Sequence, residues 1–189
     1  MKNVFFCALT FEKFLEAESR ARNLKTNRCE VMEFEANLEV NLLTLIDEIK
    51  KDKYEVGNYY TFKIYEPKER IIEALPYRDR IVHQWYVHEF IIPYFVPKFI
   101  KNTYACIEGR GTHKAVKDLQ NAMRIAKRKY GSYWILKCDV LKFFYNINPY
   151  ILYVLLEKKI QDKEVLKFTK KILFQKRILD VGIPIRKSL

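Results

Sequence analysis

At 189 residues the chain is long enough to bury a hydrophobic core and to form one domain, or one domain with part of a second. Its 49% hydrophobic and 31% charged residues exclude a disordered segment. The 35 Lys and Arg against 23 Asp and Glu give a net charge of +12, which points to a polyanionic partner, nucleic acid foremost, beside the plainer reading of an ordinary basic protein.

In chain order, the apolar run 4–11 is short and is followed by Glu12 and Lys13, so it reads as buried structure and not as a signal peptide. A helix is predicted over 11–22, joined by the polar, basic 23–28 to a second. In that second helix Val31, Phe34, Leu38, Leu42, Leu45 and Ile49 recur in steps of three or four across 27–51, painting one apolar stripe. After the turn-prone Gly57-Asn58, the aromatic and β-branched stretches 59–65 and 70–75 predict two strands, with 66–69 as their hairpin turn.

Helical spacing returns with Ile81, Val82, Trp85, Tyr86 and Phe90, and again with Val116, Leu119, Met123 and Ala126. Between them runs a Pro- and Gly-punctuated loop, 93–111; the apolar 90–100 is interrupted by Pro93, Pro97 and Lys98 and is far short of the ~20 residues of a membrane span. Residues 133–138 form a short apolar run typical of a buried strand, ending in Asp139. Asn148, followed by Pro149, and Asp162, ahead of Val165, Leu166, Thr169, Ile172 and Leu173, are predicted helix N-caps, so the chain closes on two helices and a small tail.

Four scattered cysteines, Cys7, Cys29, Cys106 and Cys138, form no C-x-x-C pair, which fits neither a zinc site nor a disulfide framework and suits a reducing cytoplasm. His83, His88 and His113 show no metal spacing and are read as structural. Asp139 is open to two readings. A carboxylate closing a buried strand presents a hard oxygen ligand of the kind Mg²⁺ takes together with substrate phosphates, but strand-terminal Asp residues also serve as caps and turn formers.

Lys137-Cys138-Asp139-Val140-Leu141-Lys142-Phe143-Phe144 closely resembles the first catalytic motif of reverse transcriptases. Upstream, Glu66-Pro67-Lys68-Glu69-Arg70, Tyr77-Arg78-Asp79-Arg80-Ile81-Val82, and Tyr104-Ala105-Cys106 with Gly109-Arg110-Gly111-Thr112-His113-Lys114-Ala115 look like the finger motifs of that family, in the family's order. The chain is most similar to the enzymes of diversity-generating retroelements among bacterial retroelement reverse transcriptases, with group II intron maturases and retrons as relatives. The resemblance spans about 30–185.

The resemblance implies an α+β, helix-rich fold: an N-terminal helical extension (1–26), fingers with a β-hairpin (27–130), and a partial palm with an incomplete sheet (131–189). It implies a cytoplasmic RNA-directed DNA polymerase that binds an RNA template and primer duplex, a deoxynucleotide triphosphate and Mg²⁺, with Mn²⁺ as the alternative ion. Asp139 matches the catalytic, metal-binding aspartate, and the carbonyl of Val140 completes that half of the site. Phe144 matches the bulky residue under the nucleotide sugar that excludes a 2′-hydroxyl, whereas Phe143 is read as core packing. Lys68 and Arg70 match the basic residues on the incoming triphosphate, where a compact ammonium and a planar guanidinium fork would neutralise charge.

Arg78 and Arg80 are open to template phosphates or to pairing with Asp79. Lys98, Lys101, Arg110 and Lys114, interleaved with Phe99, Tyr104 and His113, suit phosphate contacts with stacking; Ile107 departs from the family, which commonly has a basic residue there. Residues 182–185 resemble the opening of the next motif, and the family's aspartate pair would follow residue 189. The expectation is therefore a chain that does not polymerise alone and that needs a remaining polymerase segment. Two other readings stand beside it: a non-catalytic RNA or RNA–DNA binding module, and a degenerate remnant that folds poorly.

Overall fold

The structure, a computed structural model, describes residues 4–65 and 69–174. It is α+β and helix-rich, and it divides into two compact units: one formed by 1–90 with 142–189, the other by 91–141.

In the first unit, the apolar N-terminal run forms a short helix α1 (Val4–Cys7) that buries Phe5, with Ala8 and Leu9 behind it. Helix α2 (Phe11–Arg22) buries Phe14, Ala17, Glu18 and Ala21, the three-and-four spacing of one helix face. The single helix expected over 27–51 is two, α3 (Cys29–Glu35) and α4 (Leu38–Lys50). Asn37 leaves the helical region at φ −132° and ψ 44°, and the Asn41 side chain donates to the Phe34 carbonyl at 2.9 Å, a partner for an acceptor that the break leaves without one. The apolar stripe survives the break, since Val31, Leu42, Leu45 and Ile49 are all buried.

Strands β1 (Tyr60–Ile64) and β2 (Arg70–Ala74) pair antiparallel, in a register running from Tyr60 with Ala74 to Ile64 with Arg70. This hairpin is the only sheet among the described residues. Helix α5 (Tyr77–Tyr86) follows at once and runs into a π-helical turn, Val87–Ile91. Its main packing partner is α2, so the N-terminal helices are part of this core.

Trp85 is fully buried at the centre, its indole N–H donating to the Ala8 carbonyl at 2.8 Å and its ring 5.0 Å from Phe14, 5.6 Å from Phe5 and 5.7 Å from Phe168. Aromatic groups of this size, packed edge-on and tilted, contribute through large apolar area and ring geometry together.

Past a short helix α8 (Phe143–Asn146), the two closing helices are α9 (Pro149–Glu157) and α10 (Lys163–Leu173). The Asn148 carboxamide accepts from the N–H of Tyr150 and Ile151, and the Asp162 carboxylate from those of Glu164 and Val165, the caps expected of them. Helix α10 reaches the core through Phe168 and Thr169. The Thr169 and Tyr86 hydroxyls meet at 2.5 Å in a buried contact, and burial pushes the Tyr86 phenol up to about 12. Phe143, expected in the core, is 53% exposed and meets only its neighbour Phe144 among aromatic rings, 5.5 Å away and near edge-on.

In the second unit the expected loop 93–111 contains two short helical pieces, α6 (Ile92–Phe95) and a 3₁₀ turn (Val96–Lys98), with Pro93 and Pro97 in their first turns, where a missing N–H is harmless. Helix α7 (Thr112–Tyr130) covers the predicted helix and ends on Gly131 at φ +74°, a conformation that Gly reaches without Cβ strain. The buried strand expected over 133–138 is not formed. Trp134 is 101% and Leu136 87% exposed, because a strand needs neighbours for its ladder and a layer to bury its side chains, and none of the described residues provides either. No described residue of this unit is buried. Among the described residues of the chain, no helix is long and apolar enough to cross a membrane.

Candidate nucleic-acid interface

The site expected from sequence is spread over both units. Arg70, Arg78, Arg80 and Phe144 lie in the first; Lys98, Lys101, Arg110, Lys114, Asp139 and Val140 lie in the second. Lys68, and the motif at 182–185, fall outside the described residues.

The hairpin register explains how Arg70 is held. It pairs with Ile64 at the last rung before the turn, so its exposed side chain stands at the turn end of the hairpin. Beside it, the Lys63 ammonium and the Glu69 carboxylate meet at 2.7 Å across the hairpin, a solvated pair that ties the strand ends without covering Arg70.

Arg78 and Arg80 are built differently. Both sit in the first turn of α5, and each is claimed by a carboxylate of the preceding helices: Arg78 by Glu48 of α4, Arg80 by Glu30 of α3. Their guanidinium groups also lie over aromatic rings, Arg78 5.7 Å from the centroid of Tyr54 and Arg80 5.3 Å from that of Tyr77. Of the two partners that the sequence left open, Asp79 is met by Arg78 alone among the ion pairs of the described residues, in a long contact of 3.9 Å from Nε to Oδ1.

Asp79 is fully buried, with Oδ1 accepting from the Tyr54 hydroxyl at 2.7 Å and Oδ2 from the Gly57 N–H at 3.1 Å. Burial raises its carboxyl pKa, against the Tyr54 hydrogen bond and the Arg78 charge, and burial together with Asp79 drives the Tyr54 phenol upward as well. These groups form a tie between helices and the base of the hairpin, with most of their hydrogen-bonding capacity already used internally.

The second unit sets two of the four expected cations, Lys101 and Lys114, around one acid. Asp118 of α7 accepts from the Tyr104 hydroxyl at 2.8 Å and pairs with Lys114 at 3.4 Å, and these two partners hold its carboxyl below the usual range. The Lys101 charge acts in the same direction. Arg110 donates to the Lys101 and Thr103 carbonyls at 3.3 and 3.2 Å, closing the turn that carries Tyr104. The loop is thus shaped by Tyr104, Asp118 and Arg110, and keeps basic side chains at its surface. Lys98 instead caps the Tyr94 ring, its Nζ 2.9 Å from the centroid.

Asp139 is exposed, with Oδ1 accepting from the Val140 N–H at 3.0 Å, and Val140 itself is 63% exposed. Asp139 is therefore open to solvent, as a ligand for an ion and a polyphosphate must be. Among the described residues it stands in no group of three or more His, Cys, Asp or Glu that could hold a metal ion. Phe144 is likewise accessible, at 48%.

One feature escapes the sequence pattern: the Tyr104–Asp118 bond joins residues in different elements and leaves no periodic trace. The basic face of α7 does carry helical spacing, opposite the apolar stripe of that helix. Comparison of the sequence with protein-family models finds no match, and comparison with curated proteins finds none either.

Proposed function

We propose that the chain is the fingers and partial palm of an RNA-directed DNA polymerase of the bacterial retroelement type, binding an RNA template and primer duplex, a deoxynucleotide and Mg²⁺ or Mn²⁺. The observation that carries the reading is the hairpin. The segment that resembles the triphosphate-binding motif, 66–70, is flanked by two paired strands, with Arg70 at their last rung, exposed, and with no carboxylate of the described residues within salt-bridge range. A planar guanidinium fork at the end of a hairpin suits a triphosphate, because two parallel N–H groups can meet two phosphate oxygens at once.

In this reading Asp139, with the Val140 carbonyl, supplies one side of a metal site. Two-metal phosphoryl transfer clamps both ions about 4 Å apart between several carboxylates, and one carboxylate with one carbonyl is too few. The purified chain accordingly extends no primer, and its chemistry awaits a further polymerase segment.

The test is deoxynucleotide binding by the purified chain, titrated with and without Mn²⁺. Arg70→Ala should weaken nucleotide binding roughly tenfold, the worth of a charge-assisted hydrogen-bond pair. Asp139→Ala should remove the metal-dependent increment alone. Nucleotide affinity indifferent to both substitutions would overturn the assignment.

A second reading, a nucleic-acid binding module without chemistry, is favoured by the composition of 91–141, where ten Lys and Arg stand against three Asp and Glu. Salt-sensitive duplex binding with no metal-dependent nucleotide affinity would select it.

A further inference from the structure

Helix α7 carries two opposed faces. At 100° per residue, Ala115, Val116, Leu119, Ala122, Met123 and Ala126 fall on one side. On the other, His113, Lys117, Arg124 and Arg128 lie within about 60° of each other, with Gln120 and Asn121 at its edges. From Lys117 to Arg128 the stripe runs about 16 Å along the axis, the reach of several successive backbone phosphates.

These cations are not explained by the fold. The one ion pair found on α7 among the described residues is Lys114 with Asp118; Lys117, Arg124 and Arg128 are exposed and have no carboxylate of the described residues within 4.0 Å. Arg124 and Arg128 are four apart, and like charges at that spacing weaken a helix. The dipole at the C-terminal end compensates Arg128 in part, but neither Lys117 nor Arg124.

We propose that this face of α7 binds the phosphate backbone of double-stranded nucleic acid, with Lys117, Arg124 and Arg128 as the charged contacts and Gln120 and Asn121 as neutral donors beside them. The proposal rests on the nucleic-acid-binding half of the function above and not on its chemistry. A lipid surface is the other polyanion that a basic helix can meet, but it requires bulky anchors such as Trp, Phe and Leu on the apolar side. Here that side holds three alanines with Val116, Leu119, Met123 and, at its end, Tyr130, and neither a Trp nor a Phe.

The experiment measures anisotropy of a labelled RNA–DNA hybrid duplex with the full chain, over a salt series. The α7 variant K117Q/R124Q/R128Q is compared with K50Q/K53Q/K159Q, which removes the same charge from exposed positions of the first unit. Glutamine preserves helix propensity, and far-UV circular dichroism checks that α7 persists. The α7 variant should lose roughly tenfold or more in affinity, and its slope of log K against log salt should fall by about 2–3, while the control loses about threefold at most. R124K/R128K, which keeps the charge, should bind within about threefold of the parent.

Equal losses in both glutamine variants, or parent-like binding by the α7 variant, would overturn the assignment. So would an α7 variant that loses affinity only for vesicles of phosphatidylserine and phosphatidylcholine. The polymerase reading can fail independently: a parent that grips the duplex through α7 yet binds nucleotide without regard to metal or Asp139 leaves this inference standing.

Discussion

Asp79 is where charge, burial and chain geometry meet most tightly. Its two oxygens are divided between Tyr54 and Gly57, and the approach is so close that a Cβ on residue 57 would lie 2.8 Å from Oδ2 and 3.0 Å from Pro76. Gly57→Ala should therefore destabilise the first unit by about 1–3 kcal/mol, the cost of overpacking a rigid site, as read by urea unfolding. The carboxyl pKa is raised in the fold, so the native state holds the proton more tightly than the unfolded chain does. Its contribution to stability is full at acid pH, below the unfolded value, and is lost as pH rises through the folded one. Asp79→Asn keeps an acceptor for Gly57 and a polar partner for Tyr54 with no charge to bury. It should unfold at higher urea than the parent at pH 8, and the gap should close as the pH falls; a gap that widens in acid would show that the carboxylate is stabilised as the anion. Asp79→Ala, which leaves Tyr54 and Gly57 unsatisfied, should cost about 2–4 kcal/mol in acid and less as the pH rises through the folded value.

At the scale of elements, local chemistry predicts what it governs and misses what tertiary partners decide. Asn148 and Asp162 are legible as caps because the capping bond lies within three residues of sequence. Asp162→Ala should lower stability by about 1 kcal/mol in urea unfolding, since α10 carries Phe168 and Thr169 into the core. Asn148→Ala should matter less, because α9 buries only Tyr153. The hairpin is legible for a similar reason: its two strands lie next to each other in sequence, and their aromatic and β-branched content matches a pleated surface. The break between α3 and α4 is invisible to periodicity because the stripe continues through it, and what marks it is a side-chain bond from Asn41 to a backbone carbonyl. The run 133–138 fails in the opposite sense. Its composition is that of a buried strand, but composition supplies no partner, and an unpaired strand leaves its N–H and C=O groups to water. Of the candidate site, the positions of Arg70 and Asp139 at exposed points were legible; the capture of Arg78 by Glu48 and of Arg80 by Glu30 depends on helices some thirty to fifty residues earlier in the chain.

Over the whole molecule, burial is divided unevenly: every buried residue lies in the unit formed by 1–90 and 142–189, and none in 91–141. The two tryptophans report on this separately, since Trp85 is 0% and Trp134 101% exposed. With Trp134→Phe, emission comes from Trp85 alone. It should be blue-shifted in the native state and move to the red in one cooperative urea transition, because the indole leaves an aromatic core and its hydrogen bond to Ala8. With Trp85→Phe, emission comes from Trp134 alone and should be solvent-like before any urea is added and nearly unchanged through the transition that circular dichroism follows. An isolated 19-residue helix with an exposed apolar stripe has little tertiary support, so α7 should also exchange its amides far faster than α5. Blue-shifted emission from Trp134 in the native protein would mean that 132–140 is packed against something, and that the strand expected there forms after all.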